Sequence, residues 1–256
     1  MSKCQFARCH AYSIKKVDGV LNEVDRTPGF ISHVEKPEVP EWFIGARSAV
    51  VQAISSYMAK PAHIQYPKGR AGERKQRKDH RCLVAGTISW PDTVLTCRAA
   101  TYSRESRELY MKWQDKLIEW LRKQFGSNLI AACAHMDESH PHIHFFVVGD
   151  AQRMHPGMKN ELVNNKRIEV KADRYAAHKS GLKAWLDDFY SDVGQYCGLQ
   201  RKIGSRPVWR IKDRAIRARL VEIDRALKER PDAVIQVLRD DIWDLTHKIN
   251  RPRQVF

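Results

Sequence analysis

Four histidines lie close together in the stretch AHMDESHPHIHFFVVGD, residues 134–150, which continues as an apolar strand. His142 and His144 are two residues apart, so on a strand their side chains point to the same face. The preceding apolar run ends at His135, and a hairpin would bring this residue alongside the pair. Three neutral imidazoles form a good site for a divalent first-row metal and leave coordination positions open.

The other polar residues of this stretch have separate predicted roles. Asp137 and Glu138 could complete the ligand shell or orient an imidazole N–H, and Glu138 could also act as a base. His140 is out of phase with the histidine pair, so we expect it to be exposed. Burying three unpaired imidazoles would be costly, which favours a metal site over core packing. Because neutral ligands do not cancel the metal's charge, the ion could polarise a phosphodiester as a Lewis acid.

The composition points to a polyanionic partner. Lys and Arg number 45 against 30 Asp and Glu, so the net charge is +15, which favours nucleic acid as the partner. The basic run KGRAGERKQRKDHR, residues 68–81, is either a solvated loop or a segment that grips phosphates. Its candidate DNA contacts are Arg70, Arg74, Lys75, Arg77, Lys78 and Arg81.

The sequence also excludes some classes of protein. No apolar window is long enough to span a membrane and the N-terminus lacks an apolar signal core, so we expect a cytoplasmic protein with no membrane partner. The six cysteines have no C-x-x-C spacing, which indicates neither a zinc ribbon nor a disulfide framework.

Several elements must position the histidines. Residues 5–14 alternate as a strand with Arg8, His10 and Tyr12 on one face, whereas the prolines between residues 28 and 40 predict an irregular stretch after it. Helices are predicted over about 45–60 and 103–125, and apolar strands before and after them. This order predicts an α+β domain, with an antiparallel sheet and helices packed on one face.

Two amphipathic segments near the C-terminus predict a helical hairpin extension over residues 206–256. The apolar positions of the first segment repeat with heptad-like spacing up to Pro231, and a second helix follows. Such a hairpin could dock on the domain formed by residues 1–205, which we favour, or form a homodimer.

The histidine motif also resembles that of a known family. HMDESHPHIH, residues 135–144, followed by an apolar strand, is similar to the metal motif of the Mob/Pre (MobV-type) plasmid mobilisation relaxases, members of the HUH endonuclease superfamily. The opening strand FARCHAYSIKK resembles the first strand of that family. GVLNEVDR, residues 19–26, resembles the motif that carries the family's nucleophile and a partner arginine, here Arg26. The resemblance extends over about residues 4–150.

This resemblance implies a relaxase fold and site-specific nicking with strand transfer in plasmid or mobile-element mobilisation. The implied substrate is single-stranded DNA at an origin of transfer, expected to form a hairpin, and accessory mobilisation proteins are possible partners. The implied cofactor is Mn²⁺ or Mg²⁺, and imidazole ligands favour Mn²⁺. Further DNA contacts are expected from Arg8 and Arg26, with Trp42 or Trp90 as base-stacking platforms. Trp90, at a strand end before Pro91, fits the core equally well.

The nucleophile is where the chain departs from the family. Glu23 stands where the best-known branch has a histidine, and most other HUH enzymes use a tyrosine. Glu23 could attack phosphorus directly, or it could be a general base for water. Alternatively, Tyr12 or His10 attacks and Glu23 is structural. We rank Glu23 first and Tyr12 second.

Three functions follow from these alternatives. The leading hypothesis is a metal-dependent, single-strand-specific DNA nickase and transferase. The second is a DNA-binding module of the same fold that does not cut. The third is a metal-dependent phosphodiesterase that hydrolyses nucleic acid without a covalent intermediate.

Overall fold

The computed structural model describes most of the first 201 residues: 6–32, 34–65, 69–92, 104–138, 140–162 and 171–201. The predicted helical extension over residues 206–256 lies outside this part of the chain, and so does any dimer contact that it would make. Within the described part, no helix combines the length and the apolar character that crossing a membrane requires.

A five-stranded antiparallel sheet forms the centre of the domain. Its spatial order is β1-β5-β7-β6-β2, and β3 and β4 form a separate two-stranded hairpin. The strands are β1 Phe6–Ser13, β2 Glu41–Ile44, β3 Ala62–Gln65, β4 Ala71–Arg74, β5 Arg81–Ser89, β6 Leu129–His135 and β7 His142–Val148. The two strands that carry the histidines, β6 and β7, therefore lie side by side inside the sheet.

Six α-helices complete the described part of the domain. They are α1 Ile14–Val24, α2 Arg47–Ala59, α3 Arg104–Phe125, α4 Ala151–Met154, α5 Pro156–Leu162 and α6 Lys171–Phe189. A turn of π-helix, Tyr190–Gly194, and a short 3₁₀ helix, Gln195–Cys197, follow α6 directly.

Helix α1 corrects the prediction of an irregular stretch after the opening strand. Val17, Leu21 and Val24 are spaced on one helical face and are all buried. The prolines that suggested irregular structure begin only at Pro28, beyond the end of the helix. They therefore limit the length of α1 and do not prevent it from forming.

The α+β class and the antiparallel sheet are confirmed, but helices cover both faces of the sheet instead of one. On the first face, Ile88 and Phe145 share a hydrophobic cluster with Trp113 of α3. On the second face, Leu83 and Phe146 share a cluster with side chains of α1 and α2. Since neighbouring residues of one strand belong to opposite clusters, β5 and β7 are apolar throughout much of their length.

The strand register determines what lies on the second face. Directly paired residues of neighbouring strands point the same way, so Arg8, Thr87 and His144 form one row across the sheet. The next row contains His142 and His135. The apolar cluster under α1 and α2 occupies the rows towards the other end of this face. One end of the second face therefore carries the three histidines together with Arg8 and Thr87.

Gly86 of β5 leaves room for the packing of the first face. A Cβ at this position would overlap the Phe145 ring and the Arg8 carbonyl oxygen. We expect Gly86→Ala to lower the free energy of unfolding by about 2 kcal/mol, because the ring and the edge strand would have to shift. Urea denaturation followed by circular dichroism would measure this change.

Gly19 provides a matched control for this substitution. It lies inside α1, and a Cβ there would have no neighbouring atom within 4 Å. Gly19→Ala should raise the stability by about 0.5–1 kcal/mol through helix propensity. Equal effects of the two substitutions would contradict the packing argument.

Candidate metal centre and active-site cavity

His135, His142 and His144 converge on one point of the second face. The three ring centroids lie 4.7–5.2 Å apart, and each ring offers a nitrogen within 4.8 Å of the nitrogens of the other two. His135 is the direct partner of His142 across the β6–β7 pair. The structure thus brings together the three residues that the sequence analysis proposed as metal ligands.

Hydrogen bonds to two backbone carbonyls orient two of these rings. His135 donates from Nε2 to the Val24 carbonyl at 2.9 Å, and its buried Nδ1 has no hydrogen-bond partner. His142 donates from Nδ1 to the His140 carbonyl at 3.0 Å, which leaves Nε2 with a lone pair. A buried nitrogen without a partner is costly, so His135 Nδ1 fits the role of a metal ligand.

The electrostatic surroundings keep the imidazoles neutral at pH 7. Burial, with a further contribution from Arg26, lowers the pKa of His135 to about 4. Burial also lowers the pKa of His142, and it holds the pKa of His144 well below its usual value. Neutral imidazole is the form that binds metal ions, so the three rings are ready to act as ligands.

A buried ion pair connects the end of α1 to the turn between β6 and β7. Arg26 donates to both carboxylate oxygens of Asp137, at 2.8 and 2.6 Å, and to Glu138 at 2.9 Å. The two paired side chains, Arg26 and Asp137, are 4% and 1% exposed. Arg26 has a left-handed φ of 58°, which is uncommon for a residue other than glycine. This contact therefore holds an unusual backbone turn in place.

The ion pair also determines the state of Asp137. Burial alone would raise its pKa, but hydrogen bonds from Arg26 and from the Glu38 backbone N–H lower it overall. Both oxygens accept hydrogen bonds from Arg26, so Asp137 helps to hold the turn between β6 and β7. A carboxylate oxygen of Asp137 and one of Glu138 also lie within 4.8 Å of a His135 nitrogen. Glu138, which also accepts from Arg26, is 33% exposed and lies beside the cluster, 3.6 Å from His142 Nε2.

A cavity of about 180 Å³ opens beside the metal centre. His144 forms part of its wall, together with Thr87. The same cavity is lined by Tyr12 and Glu23, the two leading candidate nucleophiles, and by Arg8. Residues from β1, α1, β5 and β7 thus meet around one space that is large enough for a phosphate group.

The two candidate nucleophiles differ in their local environment. Glu23 was expected in an irregular stretch, but it is an exposed residue in the last turn of α1. Tyr12 is half-buried, and burial together with the negative charge of Glu23 raises its pKa. Tyr12 is therefore a protonated phenol at pH 7 and would need a base in order to attack.

One of the two predicted base-stacking platforms is contradicted by its burial. Trp90 is fully buried in the first core, where its ring contacts Tyr110 and Trp113, so its assignment as a platform is wrong. Trp42 is half-buried against Phe146. Apolar residues at strand ends face the core as readily as they face solvent, and the sequence pattern did not distinguish the two.

The basic run does not reach the metal centre. Arg70, Lys75 and Lys78 are exposed, and Arg77 is paired with Asp79 at 2.7 Å. Arg74 lies at the end of β4 and Arg81 at the start of β5. Since β5 rises by about 3.3 Å per residue, Arg81 is about 20 Å from Thr87 beside the metal centre.

Two contributors to the site were missed in the sequence. The Val24 carbonyl orients His135, but a backbone carbonyl leaves no signal in the residue types. Thr87 lies 3.4 Å from His144 Nδ1, and a polar residue inside the apolar strand CLVAGTISW could have indicated it. His140 is exposed, as predicted.

Comparisons with known proteins identify the class of fold. Two Mn-bound crystal structures of the MobM relaxase domain (MOBV; Mob_Pre) with plasmid pMV158 oriT DNA match with a TM-score of 0.50. The structure at pH 6.8 is 14% identical and covers 85% of this chain and 98% of that chain. The structure at pH 5.5 is 16% identical, and the match covers 85% of this chain and 99% of that chain. The fold is that of a relaxase domain.

The family follows from the sequence itself. The family model described as plasmid recombination enzyme, Mob_Pre, matches residues 60–197, which is more than half of the chain. The protein belongs to the Mob/Pre family of plasmid recombination enzymes, and the resemblance inferred from its motifs is confirmed. The match continues beyond residue 150, where the resemblance was expected to end, and does not include Glu23 or Arg26. No curated protein matches the sequence.

The buried ion pair predicts a large stability effect. Arg26→Ala would leave the Asp137 carboxylate buried without its partner, so the free energy of unfolding should fall by about 3 kcal/mol. Arg104→Ala removes the exposed pair with Glu108 and should cost less than about 0.5 kcal/mol. Urea denaturation of the two variants measures the difference, and equal losses would contradict a structural role for Arg26.

Proposed function

We propose that this plasmid recombination enzyme is a metal-dependent relaxase that nicks single-stranded DNA at a specific site and transfers the cut strand. The process would be plasmid or mobile-element mobilisation, in the cytoplasm. One observation carries the proposal: His144 of the three-histidine cluster lines a cavity that is also lined by the Glu23 carboxylate and by Tyr12. This is the combination that phosphodiester cleavage requires, an electrophilic site beside a nucleophile.

His135, His142 and His144 would hold the divalent ion. In His135 and His142 the ligand would be the ring nitrogen that does not contact a backbone carbonyl. When bound, the ion would polarise the scissile phosphodiester as a Lewis acid. The related MobM structures contain Mn, and imidazole ligands suit Mn²⁺ better than Mg²⁺, which prefers oxygen. Mn²⁺ is therefore the favoured ion and Mg²⁺ the alternative.

Glu23 is the favoured nucleophile. Its carboxylate oxygen would form a bond to phosphorus while the bond to the 3′ oxygen breaks. The leaving 3′ oxygen takes a proton from water, which leaves a 3′ hydroxyl and a 5′-phosphoryl enzyme. The resulting acyl phosphate would be reactive enough to rejoin DNA in the transfer step. In the hydrolytic alternative, Glu23 accepts a proton from water and no covalent intermediate forms.

Tyr12 is the second candidate for the attack. It lines the same cavity as Glu23, whose carboxylate contributes to the raised pKa of Tyr12. In this alternative the Glu23 carboxylate would accept the phenol proton as Tyr12 attacks. Glu138, which lies 3.6 Å from His142 and accepts from Arg26, is a further candidate base. Arg26 acts as a positioning residue, because its ion pair with Asp137 holds α1 against the turn between β6 and β7.

The substrate would be a single strand at an origin of transfer. MobM was solved with oriT DNA, and the net charge of +15 favours the same class of ligand here. Arg8 lies in the wall of the cavity, where it can contact a phosphate. The proposal also includes a hairpin in the DNA and accessory mobilisation proteins as partners. It assigns residues 1–205 to the relaxase domain and dimerisation to residues 206–256.

The metal assignment predicts the behaviour of a histidine variant. His142→Ala removes one ligand, so Mn²⁺ binding measured by calorimetry should be lost and cleavage of an oligonucleotide library should fall at least about 100-fold. Salt-dependent DNA binding should stay mostly intact. His140→Ala is the matched control, since this exposed neighbour lies outside the cluster; full cleavage by the His142 variant would refute the assignment.

The nucleophile assignment predicts the fate of a covalent adduct. With Mn²⁺ and single-stranded oligonucleotides, a denaturing gel should reveal a protein–DNA adduct that Glu23→Gln abolishes and Tyr12→Phe retains. Neutral hydroxylamine should release the DNA, because it cleaves acyl phosphates and leaves phosphotyrosine intact.

Other outcomes would assign the chemistry differently. The reverse pattern of the two variants identifies Tyr12 as the nucleophile. Cleaved DNA without any adduct indicates hydrolysis with Glu23 as the base, and binding without cleavage indicates a DNA-binding module.

A further inference from the structure

A second, larger cavity lies at the opposite end of the sheet from the metal centre. It has a volume of about 780 Å³, which is within the size range of ligand clefts. We call it the basic groove and define it by four arginines and two aromatic residues of its wall: Arg74, Arg77, Arg81, Arg153, Tyr57 and His80. None of these six residues lines the cavity beside the histidines.

The charge of the basic groove is positive. Two of its arginines have carboxylate partners, Arg77 with Asp79 at 2.7 Å and Arg153 with Asp150 at 3.6 Å. Arg74 and Arg81 form no ion pair with any carboxylate in the described ranges, although Arg81 contacts the Met158 sulfur at 3.6 Å. Two guanidinium groups therefore remain available for an anionic ligand.

An aromatic pair forms another part of the wall. The rings of Tyr57 and His80 are stacked with their centroids 5.8 Å apart, and the tyrosine hydroxyl lies 3.0 Å from His80 Nε2. This hydrogen bond holds both rings in one orientation. Guanidinium groups beside a fixed aromatic surface are the combination with which proteins bind single-stranded nucleic acid.

The distance to the metal centre separates the groove from the reaction. Arg81 begins β5 and Thr87, beside His144, lies six positions further on the same strand, or about 20 Å away. A single strand that enters the metal centre must be several nucleotides long to reach the groove. The groove can therefore contact only DNA that flanks the scissile phosphate.

We propose that the basic groove binds a flanking segment of the same single-stranded DNA, with phosphates at Arg74 and Arg81 and a base against the Tyr57–His80 wall. This inference rests on the proposed function in one respect, the identity of the ligand as DNA. Two anchor points on one strand limit how the DNA can slide, so the groove helps to position the scissile phosphate at the metal centre.

The salt dependence of binding tests the phosphate contacts. For a fluorescein-labelled dT20 oligonucleotide, Arg74→Ala combined with Arg81→Ala should weaken binding about tenfold and reduce the slope of log affinity against log salt by about 1.4, since each phosphate contact to a single strand contributes about 0.7. The control pair, Arg107→Ala with Arg122→Ala, removes two exposed cations of α3 and should leave the slope unchanged.

The aromatic wall is tested separately. His80→Ala should weaken dT20 binding about fivefold, because stacking is lost, and should not affect an abasic 20-mer of the same charge. Equal effects on both probes would overturn the base contact.

The outcomes distinguish this inference from the proposed function. If wild-type protein neither binds dT20 nor cleaves DNA with Mn²⁺, the proposed function fails. If wild-type protein does both and the double arginine variant binds dT20 with an unchanged slope, the groove is not a DNA site. A competition experiment provides a further test. If a 20-residue oligoglutamate displaces labelled dT20 as effectively as unlabelled dT20 does, the groove binds any polyanion and the inference is overturned.

Discussion

The buried contact between Arg26 and Asp137 joins the end of α1 to the turn between β6 and β7, and so holds together the two halves of the candidate active site. Arg26 follows α1, which carries Glu23, and Asp137 lies in the turn that follows His135, a candidate metal ligand. A second contact acts in parallel, because the Val24 carbonyl accepts a hydrogen bond from His135 Nε2. The helix that carries the candidate nucleophile is thus bonded directly to the strand that carries the candidate metal ligand His135.

This connection has a physical cost that indicates its importance. It requires a left-handed backbone at Arg26 and the burial of a guanidinium and a carboxylate. Both costs are offset only if the geometry is good and the remaining hydrogen bonds are satisfied, as the bidentate contact and the Glu38 N–H provide. A backbone strained at a functional site is consistent with selection for position more than for stability.

Alternate side chains of each strand point to opposite faces of the sheet, and the two faces have different roles. One face packs Ile88 and Phe145 under α3 and supplies much of the core. The other face is apolar only where α1 and α2 cover it, and its open end carries the histidines and the cavity. A one-residue slip between β6 and β7 would point His135 to the opposite face from His142, so the register is part of the site.

The residue types and their spacing were sufficient to predict that the three histidines converge, since a strand places residues two apart on one face whatever surrounds it. The class of fold and the family were also predictable from local motifs. Helix α1 was not predicted, because the prolines that follow Val24 suggested an irregular segment although they only limit the length of the helix. The helices on both faces of the sheet were not predicted either, because they depend on packing and not on the hydrophobic pattern of the sequence. Trp90 was wrongly expected at the DNA for the same reason. Only the tertiary structure brought Glu23, Tyr12 and His144 to one cavity and paired Arg26 with Asp137, because such contacts join residues more than a hundred positions apart and depend on how the whole sheet is covered.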